Sequence, residues 1–232
     1  VVCPGEYFED LVVVGKDLEV RSTGGAEVTS VIGGGAGPVW QITGAAVVRI
    51  EGFTVTGGVA DVGGGGIHAE GSEIEVRACV LTGNHGGFGG GLAATEGSLV
   101  LADSTLSFNE ATFGGGGAYV EDCDGEISAS LFDGNLSELG GGLGVHDGEM
   151  VIRDSEFRDN EADAVDDSAG GGGIWAYGDV DIVCNTISGN RSDRYAGGLF
   201  ALGGEGEILD NLITENSSGN DGGGVYLYTS SA

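Results

Sequence analysis

A motif that closes on asparagine recurs along most of the chain and constrains its fold more than any other feature. Successive asparagines are separated by 25, 26, 25, 30 and 26 residues, and they are Asn84, Asn109, Asn135, Asn160, Asn190 and Asn216. A short polar segment, a run of glycines and an apolar residue follow each of them. A repeat of roughly 20–50 residues is typical of solenoids, in which each repeat buries its apolar side against its neighbours.

Apolar residues also recur in fixed register with the asparagines. One row lies eight residues before the asparagine position: Ile50, Val76, Leu101, Ile127, Ile152, Ile182 and Ile208. A second row lies three residues before it: Val55, Leu81, Leu106, Phe132, Phe157, Ile187 and Ile213. The local alternation has the period of two that strands show. We therefore predict an all-β fold, a right-handed parallel β-helix of about eight coils of ~26 residues with three short strands per coil.

Stacked coils would place the asparagines at an inward turn, where each amide donates to one neighbour and accepts from the other. A second polar row, five residues earlier, suits another interior stack: Cys79, Ser104, Ser130, Ser155, Asn185 and Asn211. The remaining cysteines, Cys3, Cys123 and Cys184, lie on coils too far apart for intrachain disulfides, so we expect none.

Composition excludes several classes of function. The 232 residues include 50 Gly and carry 37 acidic against 8 basic side chains, a net charge of −29. Such a surface repels nucleic acids and anionic lipid. No apolar stretch approaches the ~18 residues that span a bilayer, so this segment is not expected to insert into a membrane.

Two resemblances follow from particular residues. The opening Val1–Glu9, with Lys16–Val20 and Val31–Gly34, resembles the N-terminal coils of the pectin-lyase-like β-helix superfamily. The repeats with GGGI or GGGL and FxxN, the latter literal only at Phe132–Asn135 and Phe157–Asn160, are similar to those of chlamydial polymorphic membrane proteins and other bacterial surface β-helix proteins. The second resemblance implies a passenger-type adhesive surface. The fold itself also hosts lyases, hydrolases and scaffolds.

The predicted organisation is a single domain over 1–232, interpreted as a segment of a longer chain. Residues 1–58 form the N-terminal coils, 59–221 the regular Asn/Gly repeats, and 222–232 the start of a further coil. Open coil ends leave unpaired strand edges. We expect neighbouring domains or further copies to cover them.

Strand residues between the inward rows should point outward, and in the last coils they are aromatic: Trp175, Tyr177, Phe200, Tyr226 and Tyr228. An exposed aromatic patch favours binding of a partner or a glycan. Stacking that only stabilises the sheet, or cover by an absent segment, are the alternatives.

Two other constellations are weaker. The longest inter-coil loop carries Asp163, Asp166 and Asp167, whose carboxylates are suitable ligands for Ca²⁺. This loop is the one metal site that the sequence predicts, and we expect no other cofactor. Outward Asp103, Asp154 and Asp210 recur on alternating coils rather than as a converging pair, so no catalytic residue is assigned.

The sequence thus favours a non-enzymatic bacterial cell-surface or extracellular module acting in adhesion or as a structural or filament-forming element. The alternative is a carbohydrate-active enzyme, a polysaccharide lyase or glycoside hydrolase on the same scaffold.

Overall fold

Short strands stack in parallel from one coil to the next along the whole molecule. The computed structural model describes residues 1–163 and 170–228, and the predicted β-helix of about eight coils is confirmed in them. Equivalent residues of successive repeats are direct neighbours: Leu81 pairs with Val55 on one side and Leu106 on the other. Among the described residues, no helix is long and apolar enough to cross a membrane.

Two sheets of nine strands each run the length of the solenoid, with strands numbered in chain order. Sheet I contains β1 (Gly5–Phe8), β4 (Thr29–Ile32), β7 (Thr54–Thr56), β10 (Val80–Thr82), β14 (Thr105–Ser107), β18 (Leu131–Asp133), β22 (Glu156–Arg158), β26 (Thr186–Ser188) and β30 (Leu212–Thr214). Sheet II contains β2 (Leu11–Val14), β5 (Trp40–Thr43), β8 (Ile67–Glu70), β12 (Leu92–Thr95), β16 (Ala118–Glu121), β20 (Leu143–His146), β24 (Ile174–Tyr177), β28 (Leu199–Leu202) and β32 (Val225–Tyr228).

A third sheet completes each coil, and a short fourth sheet adds to the three that the sequence predicts. Sheet III contains β3 (Leu18–Arg21), β6 (Val47–Glu51), β9 (Glu73–Arg77), β13 (Ser98–Ala102), β17 (Asp124–Ser128), β21 (Met150–Arg153), β25 (Val180–Val183) and β29 (Ile208–Leu209). Sheet IV contains β11 (His85–Phe88), β15 (Glu110–Gly114), β19 (Leu136–Ser137), β23 (Glu161–Ala162), β27 (Arg191–Ser192) and β31 (Ser217–Ser218). Sheet IV forms because the residues directly after each ladder asparagine remain extended, so these repeats carry a short fourth strand beside the three predicted ones.

The core consists of the inward apolar rows, stacked like upon like along the axis. Phe132 and Phe157 are fully buried, and their rings stack with centroids 4.6 Å apart and planes inclined by 12°. Because each inward residue contacts its equivalents above and below, the repeated apolar positions make one continuous core.

The glycine runs let the chain pass close to the asparagine row. A Cβ atom on Gly117 would lie 2.8 Å from the Phe132 ring and 3.1 Å from Asn135 Nδ2. On Gly142 it would lie 2.6 Å from the carbonyl oxygen of Gly173. These positions require glycine because a side chain there would collide with the next coil.

Candidate functional site

The asparagine ladder forms as the repeat predicts. Asn109 Nδ2 donates to Asn135 Oδ1 over 3.1 Å, and Asn135 Nδ2 donates to Asn160 Oδ1 over 2.9 Å. Each Nδ2 also donates to a carbonyl of the preceding coil, as Asn135 does to Leu106 O over 2.9 Å. The same pattern links Asn84, Asn109, Asn135, Asn160, Asn190 and Asn216. These residues are structural, because their amides face one another rather than solvent.

The second polar row is also an interior stack. The backbone N–H of Ser104 donates to Ser130 Oγ over 3.3 Å, and that of Ser130 donates to Ser155 Oγ over 3.2 Å. Cys79 occupies the same row, and burial raises the pKa of its thiol to about 11. All four cysteines carry free thiols, with Cys79 and Cys123 buried and Cys3 and Cys184 exposed.

The outward aromatic residues lie on one face of sheet II, but that face is less exposed than the sequence predicts. Trp175 and Phe200 pair side by side and are only 8% and 7% exposed. Tyr177 and Tyr226 are half-buried, and Tyr228 alone of the five is largely exposed, at 52%. The expectation that all five are exposed is therefore wrong for Trp175 and Phe200.

Residues of the inter-coil loops cover these two side chains. Leu139 and Tyr195 pack against the cluster of Trp175 and Phe200, and the Tyr195 and Tyr226 rings lie 5.1 Å apart. We call this group the outer aromatic cluster: Leu139, Trp175, Tyr177, Tyr195, Phe200, Leu202 and Tyr226. The sequence contains a signal for this cover, because an apolar residue lies just before several of the glycine runs, as at Phe88, Phe113 and Leu139. Two Phe rings of the earlier coils make a related contact, with Phe88 5.2 Å from Phe113.

The lower edge of the cluster contains a histidine between aromatic rings and carboxylates. The His146 ring stacks on Trp175 at 6.0 Å and on Tyr177 at 5.1 Å. Its Nδ1 lies 3.7 Å from Glu121 Oε1 and 3.6 Å from Asp147 Oδ2. Among the residues that the structure describes, neither His146 Nδ1 nor the buried Trp175 Nε1 has a hydrogen-bond partner. The accessible part of this face is its rim at the carboxyl ends of β24 and β32, where Tyr177 and Tyr228 lie.

A second surface feature is a groove of about 600 Å³ at the corner where the chain leaves sheet III and enters sheet I. We call it the corner groove; its outer lining includes Asp103, Thr105, Ala129, Leu131, Asp154 and Glu156. Exposed Cys184 lines its upper end, and Ser104, Ser130 and Ser155 lie beneath it. Sequence reasoning recognised the outward aspartates but not the groove, whose depth depends on the small residues between them.

The turn residues along this corner all have left-handed backbone conformation. From the third coil onward they are Ala78, Asp103, Ala129, Asp154, Cys184 and Asp210, with φ between 47° and 58°. None is glycine, although a side chain in this conformation costs about 1–2 kcal/mol and the chain contains 50 glycines. This corner therefore carries a row of alternating small and acidic side chains, at positions where glycine would be less strained.

Arginines pair with carboxylates of sheets I and III, both within a strand and across coils, as Arg158 does with Asp133 over 2.9 Å in sheet I. Arg49 and Arg77 both bind Glu75, and Arg153 binds Glu126 over 2.8 Å. These hydrogen bonds hold the pKa values of Glu75 and Glu126 below their usual range. With these arginines engaged, the two sheets offer little free positive charge for an acidic polymer.

The calcium site that the sequence predicts lies mostly outside the described residues. Asp166 and Asp167 fall in 164–169, and only Asp163 is described. Among the described residues, no group of three His, Cys, Asp or Glu side chains could hold a metal ion. The calcium prediction therefore stays untested.

The stacked parallel sheets and interior polar ladders define the class, a parallel β-solenoid. The sequence matches the family described as "Right handed beta helix region" over residues 30–181 and 92–232. The chain belongs to this family, which also supports the predicted handedness.

Other comparisons are distant. No curated protein matches the sequence. A similar solved structure is the catalytic domain of a GH87 alpha-1,3-glucanase variant in complex with tetrasaccharides, with 11% sequence identity and a TM-score of 0.35. The match covers 99% of this chain and 63% of that one. Similarity at this level carries no inference about activity.

Proposed function

We propose that the chain is a non-enzymatic module of a bacterial cell-surface or extracellular protein, acting in adhesion or as a structural element. Its rigid sheets would recognise a glycan or a surface protein. The observation that carries the proposal is the outer aromatic cluster, which is packed below and accessible at Tyr177, together with exposed Tyr228 on the same face of sheet II. A half-buried aromatic rim anchored on packed neighbours is preorganised for contact with a sugar ring or a partner side chain.

The experiment is a glycan array probed with the labelled chain, combined with analysis of the glycans for cleavage products. We expect binding without turnover, and weaker binding after Tyr177→Ser together with Tyr228→Ser. The matched control is Phe108→Ser, because Phe108 is 68% exposed and lies away from the cluster. Two results would reject sheet II as the recognition surface. Either the control loses as much binding as the double variant, or neither the double variant nor the control changes binding.

A filament or fibre role is the structural form of the same proposal. The first coil presents an apolar opening of about 260 Å³ lined by Tyr7, Leu11, Val13, Leu18 and Val20. Unpaired edges of β1, β2 and β3 surround inward apolar residues there, so a neighbouring domain or a further copy would bury them. Negative-stain microscopy at high protein concentration tests this form, since monodisperse particles would contradict assembly through the coil ends.

A carbohydrate-active enzyme is the second candidate, and the corner groove is the observation that favours it. Asp103 and Asp154 lie two coils apart, about 9.6 Å by strand spacing, near the roughly 6.5–9.5 Å between the carboxyl groups of inverting glycosidases. However, Asp154 Oδ2 already forms an ion pair with Arg153 Nη1 at 2.8 Å, and this contact competes with any contact to a glycosidic oxygen. Release of shortened oligosaccharides would establish this reading and reject the non-enzymatic one.

A further inference from the structure

The corner groove is separate from the outer aromatic cluster and is open along several coils. Its acidic positions, Asp103 and Asp154, are exposed and belong to coils separated by one intervening coil. Between them, exposed Ala129 and half-buried Leu131 form an apolar floor. Carboxylates therefore alternate with apolar surface along the solenoid axis.

This alternation has a defined repeat. Asp103, Asp154 and Asp210 recur every second coil, or about 9.6 Å, twice the spacing of parallel strands. Ala129 and Cys184 occupy the intervening turns in the same left-handed conformation. Two consecutive sugars of an extended glycan span a similar length, so the acidic positions would meet equivalent hydroxyl groups in successive disaccharides.

Two of the three carboxylates that line the groove form ion pairs, in a protein with a net charge of −29. Arg153 binds Asp154 over 2.8 Å, and Arg158 Nη1 lies 3.5 Å from Glu156 Oε1. The pKa of Arg77 is raised mainly by its hydrogen bond with Glu75 and to a smaller extent by the charge of Asp103. Ion-paired carboxylates keep lone pairs free to accept from hydroxyl groups while their orientation is fixed.

We propose that the corner groove binds a neutral, extended glycan lying parallel to the solenoid axis. Asp103 and Asp154 accept hydrogen bonds from sugar hydroxyl groups, and the C–H face of the intervening ring packs on Ala129 and Leu131. The inference rests on the glycan-binding form of the proposed function and places the ligand on a different surface from the aromatic rim. An acidic glycan is disfavoured because it would meet three carboxylates, two of which already bind the neighbouring arginines.

The test uses the whole chain and defined hexasaccharides. Cellohexaose, β-1,4-mannohexaose and chitohexaose are the neutral extended probes, maltohexaose is the coiled control, and hexagalacturonate is the acidic control. Calorimetry measures their affinity. In a Cys3→Ser background, Cys184 is the one exposed thiol among the cysteines, so its alkylation rate reports occupancy of the groove.

We expect at least one extended neutral probe to bind and to slow alkylation of Cys184, with neither control doing so. Asp103→Asn with Asp154→Asn should weaken that binding by about tenfold, because charge-assisted hydrogen bonds are lost. The matched control is Asp122→Asn with Asp147→Asn, since these aspartates also have left-handed conformation but lie at another corner. Leu131→Arg, on the outer face of β18, provides a second way to block the groove.

Three results would overturn the groove assignment: no extended neutral probe binds, Cys184 stays unprotected at saturation, or both aspartate pairs weaken binding equally. The two proposals fail separately. Binding lost through Tyr177→Ser and Tyr228→Ser, with Cys184 unprotected, leaves the surface-module proposal standing and removes the groove. Cleavage of a probe that protects Cys184 keeps the groove and removes the non-enzymatic function.

Discussion

At the scale of single residues, the interior polar rows set what each position tolerates. Asn135 makes four side-chain contacts: its Oδ1 accepts from the N–H and Nδ2 of Asn109, and its Nδ2 donates to Leu106 O and Asn160 Oδ1. Asn135→Ala removes all four inside the core. We expect a loss of about 3 kcal/mol in the free energy of unfolding, because buried groups lose their partners.

Urea denaturation followed by circular dichroism measures this loss. Asn216→Ala is the matched control, since Asn216 is half-buried and lies in the last ladder position that the structure describes. We expect a smaller loss of stability for Asn216→Ala, because water can reach the hydrogen-bonding groups that lose their partner there. Equal losses at Asn135 and Asn216 would contradict a ladder stabilised by burial.

The thiols give a second prediction at this scale. Cys79 and Cys123 are each 1% exposed, and burial raises the pKa of both thiols, so they remain protonated and inaccessible. Cys3 and Cys184 are exposed. Native alkylation at neutral pH should therefore modify two thiols of four, and urea should release the other two. Mass spectrometry of the labelled peptides identifies them, and rapid labelling of Cys79 would contradict the inward orientation of its row.

At the scale of strands and loops, the sequence predicts the inward rows well and the outer layer poorly. Asn109 and Asn135 are recognisable because strand stacking converts a fixed spacing directly into contact. The residues that cover Trp175 cannot be recognised from the sequence in this way. Leu139 and Tyr195 lie in loops, and the direction of these loops depends on packing outside the sheet. The sequence does not predict the corner groove for a related reason. Its shape follows from a small side chain at Ala129, not from any motif.

The outer layer can be tested through Tyr195. In a Trp40→Phe background, Trp175 is the sole tryptophan, and its fluorescence reports the cover directly. Tyr195→Ser should shift the emission to the red and increase quenching by acrylamide, with a loss of about 1–2 kcal/mol from the uncovered apolar area. Phe113→Ser is the control, because Phe113 is 46% exposed and contacts Phe88 of the earlier coils. An unchanged spectrum for Tyr195→Ser would mean that the loop does not cover Trp175.

At the scale of the whole molecule, charge opposes the stacked core. With 37 acidic and 8 basic side chains, the folded chain brings like charges together on neighbouring coils. Column neighbours such as Asp124, Glu149 and Asp179 illustrate this, since each lies one residue before paired positions of sheet III. Raising NaCl from about 0.02 to about 0.5 M shortens the Debye length from roughly 20 to 4 Å. We expect the urea midpoint at pH 7 to rise, and a fall would show that the arginine pairs outweigh the repulsion.

Acid also changes stability through the arginine–carboxylate pairs of sheet III, and the direction follows from the lowered pKa values of their carboxyl groups. Arginine hydrogen bonds lower the pKa values of Glu75 and Glu126 in the folded chain. Their contribution is therefore fully present above the unfolded pKa of about 4.3 and is lost as pH falls through the lower folded values. Glu75→Gln with Glu126→Gln should be less stable than the natural chain at pH 7 and converge with it below about pH 4. Urea midpoints of both proteins across this range measure the convergence, and a gap that persists into acid would show that these side chains stabilise by packing rather than by charge.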